Sequence, residues 1–244
     1  MDFYTQKKLK WLSFINNDQI AAGVSTRQGG FSKTGYSSLN LGLNTADDRE
    51  VILKNRDLFF STISPSMQVM HVNQTHSAIV KNVDDTFNIF SEGDGLITTA
   101  KNKLLCITIA DCGSVLFHNN NNTVIAAIHC GWKGTKLGII QTVLDKLSKY
   151  AHLEEVHAYV GPMIRCSNYE VGKEFLGYFG SEYFKESNGS LFFDLNKVII
   201  STLFRAKLAS VTDCGFDTFS EPDLFFSHRR DAGSGRMCAF IGLK

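Results

Sequence analysis

Three short apolar runs constrain the fold of this chain more than any other feature of its sequence. They cover residues 104–109, 115–117 and 124–128, and four asparagines at positions 119–122 separate the second run from the third. Runs of this length, interrupted by residues typical of turns, indicate buried strands. Cys112 and His129 lie at the ends of such runs. The sequence therefore predicts a sheet that carries two chemically active side chains at its strand ends.

Helical spacing of apolar residues appears on both sides of these strands. Asp47 or Asp48 can cap a helix that should run to about Phe60. A second helix is predicted over residues 134–147, where Leu137, Ile140, Val143, Leu144 and Leu147 recur at helical intervals. A third helix is predicted from about residue 197 to residue 208.

The remaining segments complete a mixed architecture. Further strands are predicted at residues 156–160 and 237–243, and the glycine-rich stretch 23–45 is typical of an ordered loop system. Neither a linker nor an internal repeat divides the 244 residues. We therefore expect one mixed α/β domain spanning residues 1–244.

The charge balance narrows the class of partner. Lys and Arg number 25 against 24 Asp and Glu, so no global field would draw the protein to nucleic acid or to an anionic membrane. Any anion must be bound by a local cluster. The first residues lack the apolar core of a secretory signal, and no apolar run is long enough to span a bilayer. The expected compartment is the cytoplasm, where the six scattered cysteines should stay reduced.

Two of the seven histidines stand out by their positions. His129 ends an apolar strand and enters a glycine-containing turn, and Cys112 has a comparable position at the end of an earlier strand. Two adjacent strands joined by a turn would place these residues at related levels. His76, which precedes the strand-like residues 78–80, can supply a third group. Four other histidines are assigned structural or surface roles, namely His71, His118, His152 and His157.

The trio His76, Cys112 and His129 suits more than one chemistry. Two imidazoles and one thiolate leave the fourth position of a tetrahedral zinc open for water or substrate, which is the arrangement of catalytic sites. Without a metal, Cys112 and His129 would form a nucleophilic pair that the second histidine orients. Spacing alone is also consistent with a core thiol and two hydrogen-bonded histidines.

A second set of candidate residues is cationic. Arg27 precedes two glycines, and Arg229, Arg230 and Arg236 lie in another stretch that contains glycine. Arginine binds phosphate or carboxylate through two parallel hydrogen bonds, and glycine permits close approach of the backbone. The alternative is that these arginines form surface ion pairs with acids such as Asp231.

Taken together, the motifs of the chain resemble, in order, those of the YfiH-like family, which is associated with purine nucleoside phosphorylase and laccase-like polyphenol oxidase activity. The resemblance runs from about residue 20 to the carboxyl end. Its shortest and most telling motifs are Gln74-Thr75-His76, Ala110-Asp111-Cys112 and His129-Cys130-Gly131-Trp132. The others lie at residues 25–32, 38–42, 94–98, 160–162, 169–172, 226–230 and 235–236.

The resemblance implies an α+β fold, a single domain of mixed sheets packed with helices. It implies a zinc held by His76, Cys112 and His129, with copper and phenol oxidation as an older association of the family. It further implies phosphorolysis of adenosine, inosine and guanosine to free base and ribose 1-phosphate, with adenosine deamination and methylthioadenosine cleavage as additional activities. Asp111 is then expected to assist catalysis.

The same resemblance also implies which residues bind the substrates and what the oligomeric state is. Arg27, Asn40, Arg229 and Arg230 are expected to bind the nucleoside or phosphate. The protein is expected to be a monomer or a homodimer.

The chain departs from the family pattern at several positions near these motifs. Lys133 stands where arginine is usual, His228 where tyrosine is common, and residues 113–114 where a proline often occurs. Lysine keeps the positive charge at position 133 but lacks the planar guanidinium group that binds phosphate through two hydrogen bonds. Cys130, where alanine is usual, is expected to face away from the metal because neighbours on a strand point to opposite sides.

Three alternative functions follow from the same residues. A metal-free cysteine hydrolase would use Cys112 and His129. A structural zinc module would need a fourth ligand, for which Cys130 is the candidate. Oxidation by several coppers would need more histidines than the motifs supply.

Overall fold

The computed structural model describes residues 1–84 and 86–244. The strands are, in chain order, β1 (Asp2–Gln6), β2 (Leu9–Asn16), β3 (Ile20–Ser25), β4 (Gln68–Met70), β5 (Val80–Asn82), β6 (Gly95–Thr98), β7 (Lys103–Ile109), β8 (Gly113–Asn119), β9 (Ile125–Cys130), β10 (Val156–Val160), β11 (Glu170–Val171), β12 (Phe184–Ser187), β13 (Ser190–Phe193), β14 (Ser210–Asp213) and β15 (Met237–Leu243). The α-helices are α1 (Arg49–Ile63), α2 (Trp132–Lys136), α3 (Ile139–Leu147) and α4 (Leu195–Arg205). Short 3-10 helices lie at Thr34–Tyr36, Leu153–Glu155, Cys166–Asn168, Lys173–Gly177 and Ser181–Tyr183.

Two six-stranded sheets form the body of the protein. The first sheet has the order β1-β2-β3-β15-β7-β4, and the second has the order β14-β10-β8-β9-β6-β5. Most neighbours are antiparallel, whereas the pairs β4–β7, β5–β6 and β10–β14 are parallel. A small third sheet has the order β11-β13-β12. The predicted α+β class with mixed sheets is confirmed.

Alternation along the central strands explains how the layers stack. In β9, Ala126, Ile128 and Cys130 belong to a core shared with α3 and α4. Ile125 and Ala127, on the opposite face of the strand, belong to the core between the second sheet and the first. Both faces of β9 are thus buried, which is why residues 125–128 are an unbroken apolar run.

The outer face of the first sheet is covered by α1. Phe59 and Phe60 of this helix share a third core cluster with Cys106 of β7 and with Cys238 and Phe240 of β15. The order of layers is therefore α1, first sheet, second sheet, and α3 with α4. The functional pocket described below opens between α1 and the outer face of the first sheet.

The first predicted helix and its cap are confirmed. The carboxylate of Asp48 accepts hydrogen bonds from the backbone amides of Glu50 at 2.8 Å and Val51 at 3.4 Å, which satisfies two of the free donors at the helix start. The helix continues to Ile63, slightly beyond the predicted end. Asn55, fully buried in this helix, ties down the predicted loop system by accepting from the amide of Phe31 and donating to the carbonyl of Asn40.

The helix predicted over residues 134–147 is in fact two helices. Gly138 has a φ of 86° and separates α2 from α3, because this left-handed conformation cannot continue a right-handed helix. Leu137, counted on the apolar face, is 64% exposed, whereas Ile139 is buried. The predicted strands at residues 104–109, 124–128, 156–160 and 237–243 are confirmed within a residue or two. Among the described residues, none of the helices has the length and apolar character that crossing a bilayer requires.

Candidate metal centre and its pocket

His76, Cys112 and His129 come together at one edge of the two sheets. One ligand-capable atom of each residue lies within 4.8 Å of those of the other two. The rings of His76 and His129 meet edge to face, with their centroids 4.8 Å apart. The proximity predicted from the sequence is confirmed.

Each ligand occupies a definable place in the topology. His76 lies between β4 of the first sheet and β5 of the second, and Cys112 lies between β7 of the first sheet and β8 of the second. His129 is on β9, which pairs with β8 so that Gly113 faces Cys130. Cys112 and His129 are therefore at neighbouring levels of one antiparallel pair, as predicted.

A glycine makes room for the cluster. A Cβ at Gly131 would lie 2.6 Å from Nδ1 of His76 and 3.2 Å from Sγ of Cys112. The contact with His76 is shorter than side chains tolerate and the contact with Cys112 is tight, so even alanine at this position would displace the His76 ring. Gly131 has an ordinary φ of −72°, which means that the requirement is for space rather than for backbone freedom.

Asp94 organises the cluster, although no local pattern in the sequence distinguishes it from other aspartates. The side chain is fully buried just before β6. Its Oδ1 accepts from Nδ1 of His129 at 2.8 Å and from the amide of His76 at 3.0 Å. Its Oδ2 accepts from the amides of Thr75 and Ser77 and from the Ser77 hydroxyl. One carboxylate thus orients both histidines.

The electrostatics of this pair are dominated by these hydrogen bonds. Burial alone would raise the pKa of Asp94, but the bonds from His129 and Ser77 outweigh it and lower the pKa to about 2. Burial would lower the pKa of His129, whereas Cys112 and Asp94 outweigh burial and raise it to about 9. Since the carboxylate only accepts, Nδ1 of His129 carries the proton and Nε2 faces the cluster.

The donor set fits a zinc ion. Zinc bonds of about 2.0 to 2.3 Å in a tetrahedron place the ligand atoms about 3.5 Å apart. Separations within 4.8 Å need only small side-chain rotations to reach that geometry. The buried carboxylate behind His129 is the outer partner that metal-binding histidines commonly have.

Cys130 is not part of the cluster. Its side chain is fully buried and belongs to the core shared by the second sheet, α3 and α4. Burial raises the pKa of its thiol, with the Cys112 thiolate as a further cause. The expectation that Cys130 faces away from the ligands is confirmed.

Both carboxylate oxygens of Asp111 accept hydrogen bonds from residues that are distant in the sequence. Oδ1 accepts from the Thr218 hydroxyl at 2.6 Å, and Oδ2 accepts from the amide of Arg229 at 2.6 Å. The residue has a φ of 84°, which is uncommon for a side chain other than glycine. Asp111 therefore ties the segment that carries Cys112 to the loop near Arg229.

The arginines predicted to bind phosphate are engaged elsewhere. Arg27 donates to the carbonyls of Ser37 and Pro222, and Arg230 donates to those of Thr218, Phe219 and Phe225. Arg229 donates to the carbonyl of Glu170. Neither these three nor Asn40 belongs to the described lining of the pocket at the metal centre.

Asn40 has a position of its own. Its side chain is buried and bonds to Thr45, Asp47, the amide of Gly42 and the amide of Arg236. Asn40 therefore connects the loop that precedes α1 to the residue just before β15 through hydrogen bonds. Its role in binding substrate stays a prediction, as do the roles of the three arginines.

A cavity of about 700 Å³ opens onto the metal centre. Its lining includes Cys106 and Thr108, two residues apart on β7, and Ala110 just after the end of this strand. The described lining contains three arginines and no carboxylate; the arginines are Arg49, Arg56 and Arg236. The pocket is therefore strongly positive and suits an anionic ligand.

Arg236 is the arginine beside the metal centre. Its Nη1 donates to the carbonyls of Ser234 and Gly235, at 2.6 and 3.0 Å. Burial lowers the pKa of Arg236, while the charges of Cys112 and Asp111 oppose that shift. Arg49 and Arg56, which the sequence analysis missed, are seven residues apart on α1 and so lie on one face of the helix, a spacing that is readable in the sequence.

Two departures from the family motifs have contrasting positions. Lys133 is exposed, with its Nζ 5.5 Å from the Trp132 ring, and does not belong to the described lining. His228 does line the pocket.

Comparison with known proteins supports the resemblance found in the motifs. A family model described as multi-copper polyphenol oxidoreductase laccase matches residues 21–244. A purine nucleoside phosphorylase of Deinococcus radiodurans is 34% identical over 234 residues, which cover 93% of this chain and 90% of that protein. Another, of Clostridium acetobutylicum, is 32% identical over 248 residues, with coverage of 96% and 98%. The crystal structure of a hypothetical YfiH protein of Bacillus licheniformis is 27% identical, with a TM-score of 0.90 over 99% of both chains.

Proposed function

The chain belongs to the YfiH-like family of multi-copper polyphenol oxidoreductase laccase proteins, and from this premise we propose that it is a zinc-dependent purine nucleoside phosphorylase. Its relatives from Deinococcus radiodurans and Clostridium acetobutylicum carry the name purine nucleoside phosphorylase. The substrates are a purine nucleoside and inorganic phosphate, and the products are the free base and ribose 1-phosphate.

One observation carries the proposal. The three-ligand cluster faces a pocket whose described lining has three arginines and no carboxylate. A nucleoside is neutral, so the positive charge of Arg236 beside the cluster is better explained by a phosphate that binds there. The cavity of about 700 Å³ falls in the range of small-molecule sites.

We assign the phosphate to the end of the pocket next to the metal centre. Arg236 lies there, and its charge is felt at His76 as well as at Cys112. A zinc ion held by His76, Cys112 and His129 would supply Lewis acidity toward an oxygen at this position. Arg236 is our first candidate for phosphate binding in place of Arg27, Arg229 and Arg230, because it lines the pocket at the metal centre and those three do not belong to the described lining.

The reaction balances without a further reactant. An oxygen of hydrogen phosphate forms a bond to C1′ of the ribose while the C1′–N9 bond breaks, and the bonding electron pair leaves with the purine. The proton that phosphate loses ends on the purine ring. In this scheme Arg236 neutralises and orients the phosphate, and Asp94 keeps His129 in the required tautomer.

The test combines metal analysis with an activity assay. Purified protein should contain about one zinc per chain and should release ribose 1-phosphate from inosine or adenosine only when phosphate is present. Cys112→Ala should lose both zinc and activity, and Cys130→Ala, a matched change in the neighbouring core, should keep both. Copper in place of zinc, or full activity of Cys112→Ala, would contradict the proposal.

Further activities are proposed on the family resemblance alone. The same assay detects adenosine deamination as phosphate-independent formation of inosine, and methylthioadenosine cleavage as release of adenine. We also propose that the protein is a single domain that works in the cytoplasm as a monomer or homodimer.

The metal-free cysteine hydrolase is the second candidate, because His129 is hydrogen-bonded to Cys112 and its pKa is raised to about 9. In this second candidate the Cys112 sulfur would be the nucleophile and His129 would be its base. Alkylation of Cys112 by iodoacetamide separates the two candidates. A zinc-bound thiolate should react only after a chelator has been added, whereas a catalytic thiolate should react at once.

A further inference from the structure

The pocket has a second end, away from the metal centre, with a different chemistry. Along β7 the lining residues run from Ala110, near the ligands, to Cys106, which is four residues earlier. Four strand residues span about 13 Å. Met70 pairs with Leu105, so His71 lies beside Cys106. We define the distal end by Cys106, Arg56, His71 and Phe90.

Arg56 presents a fixed guanidinium group to the distal end. Its Nη1 donates to the carbonyl of Leu41 at 2.9 Å, and its guanidinium carbon lies 5.0 Å from the centre of the Phe60 ring. In the described part of the chain, no acceptor is bonded to its Nε or Nη2. That edge carries two parallel N–H donors, which match a ligand with two adjacent acceptors.

His71 offers a neutral ring at the same end of the pocket as Arg56. Burial, with the charge of Arg56 as a second cause, lowers the pKa of His71 to about 4. At neutral pH the imidazole therefore has one donor and one acceptor. This is poor chemistry for a phosphate, which would favour a second cation, and good chemistry for the polar edge of a heterocycle.

An unpacked aromatic ring lies close by. The amide of Asn73 donates to the carbonyl of Ser91, and Asn73 pairs with Glu92, so the segment with Phe90 runs beside residues 71–73. Phe90 is 77% exposed although it lines the pocket. A large ring left open at a pocket provides a surface on which a planar base can stack.

We propose that the distal end binds the purine base and that Arg56 donates to its O6 and N7, so that the protein prefers 6-oxopurine nucleosides, inosine and guanosine, to adenosine. The proposal rests on the proposed function and deepens it. O6 and N7 are adjacent acceptors in a 6-oxopurine, whereas adenine carries a donor amino group at the sixth position. With adenosine, the amino group at the sixth position would face an N–H donor of Arg56, and no hydrogen bond could form between them.

The same contact would also serve the reaction. As the C1′–N9 bond breaks, the electron pair that leaves with the base spreads over the ring toward N7 and O6. The hydrogen bonds from Arg56 then strengthen because their acceptors gain negative charge. Arg56 would thus be both the residue that selects the base and one that stabilises its departure.

The experiment compares kcat/KM for inosine and adenosine on the same preparation of the full-length protein, so that any inactive fraction cancels in the ratio. Wild-type protein should favour inosine by roughly tenfold or more. Arg56→Met and Arg56→Lys should bring the ratio close to one, with an unchanged KM for phosphate. Arg205→Met, which removes an exposed arginine of α4 outside the pocket, should keep the wild-type ratio.

Other outcomes overturn the proposal in distinct ways. An unchanged ratio with a raised KM for phosphate in the Arg56 variants would place the phosphate at the distal end. Wild-type protein that cleaves adenosine as well as inosine would remove the proposed preference.

A binding measurement separates failure of the base site from failure of the proposed function. Calorimetry with hypoxanthine and adenine needs no turnover. If the wild-type protein cleaves neither nucleoside but binds hypoxanthine at least tenfold more tightly than adenine, and Arg56→Met abolishes the difference, the base site stands and the phosphorylase proposal fails. Equal binding of the two bases would refute the base site.

Discussion

Replacing Asp94 by asparagine should lower both the free energy of unfolding of the protein and its affinity for the metal. The carboxylate is fully buried, and its Oδ1 and Oδ2 accept hydrogen bonds from residues 75–77 and from His129. The amide keeps one oxygen, which can serve the three donors now at Oδ2. Its NH2 group must then face Nδ1 of His129 and the amide of His76, two donors that lose their acceptor.

The magnitude follows from those two lost bonds. Each hydrogen bond to a charged acceptor contributes about 1.5 kcal/mol at the low end, so Asp94→Asn should lower the free energy of unfolding by about 3 kcal/mol. For a chain of 244 residues, this corresponds to a fall in Tm of about 6 to 12 °C. Loss of the partner behind His129 should also weaken metal binding by about 10- to 100-fold.

The assay is calorimetric unfolding with and without metal, together with competition against a chelator of known affinity. Asp145→Asn is the matched control, since this exposed aspartate of α3 bonds only to Gln141 in the described chain and should change stability by no more than about 0.5 kcal/mol. Asp94→Asn melting within about 2 °C of wild type, with metal affinity intact, would refute the view that this carboxylate orders the ligands.

Two further predictions follow from the pocket and the cluster. In a chelator titration, Gly131→Ala should bind metal at least about tenfold more weakly than wild type, because the new Cβ would lie 2.6 Å from Nδ1 of His76. Gly177→Ala is the control, since a Cβ there would have no atom within 4 Å, and it should bind metal as wild type does. Burial, with the charge of Arg56 as a second cause, lowers the pKa of His71 in the folded protein from its ordinary value of 6.5 to about 4, so the unfolded chain binds the proton first and the free energy of unfolding should fall as the pH drops from 7 toward 4. With an allowance for solvent screening, the protein should lose about 1 kcal/mol of its free energy of unfolding between pH 7 and pH 5. In urea titrations, His71→Gln should lose about 1 kcal/mol less than wild type over this pH range. The same pH dependence in both proteins would be evidence against a neutral His71.

The sequence predicts those parts of the fold that local patterns determine. The run at residues 124–128 is apolar throughout because β9 is buried on both faces, and Asp48 marks the start of α1 through its own cap. Cys112 and His129 were predicted at related levels because β8 and β9 are joined by a turn, which sets their antiparallel register. Such features require no knowledge of distant contacts.

Other features depend on contacts that no local pattern reveals. Asp94 acts on His129 and on the backbone of residues 75–77, and only the docking of these segments brings them together. Arg56 and His71 became pocket residues because α1 covers the outer face of the first sheet. Arg27 and Arg230 are expected at phosphate because stretches that contain glycine suit an anion, and only the fold shows that they donate to the carbonyls of Pro222 and Thr218. Their role at phosphate stays a prediction.

The position of the ligands between the sheets has a kinetic consequence. His76 and Cys112 each lie where the chain passes from the first sheet to the second, and His129 belongs to the second. An ion bound by all three bridges both crossings, so the sheets cannot separate at this edge until a metal bond has broken. Loss of the ion would remove this link, so local opening at this edge of the sheets should be more frequent in the metal-free protein.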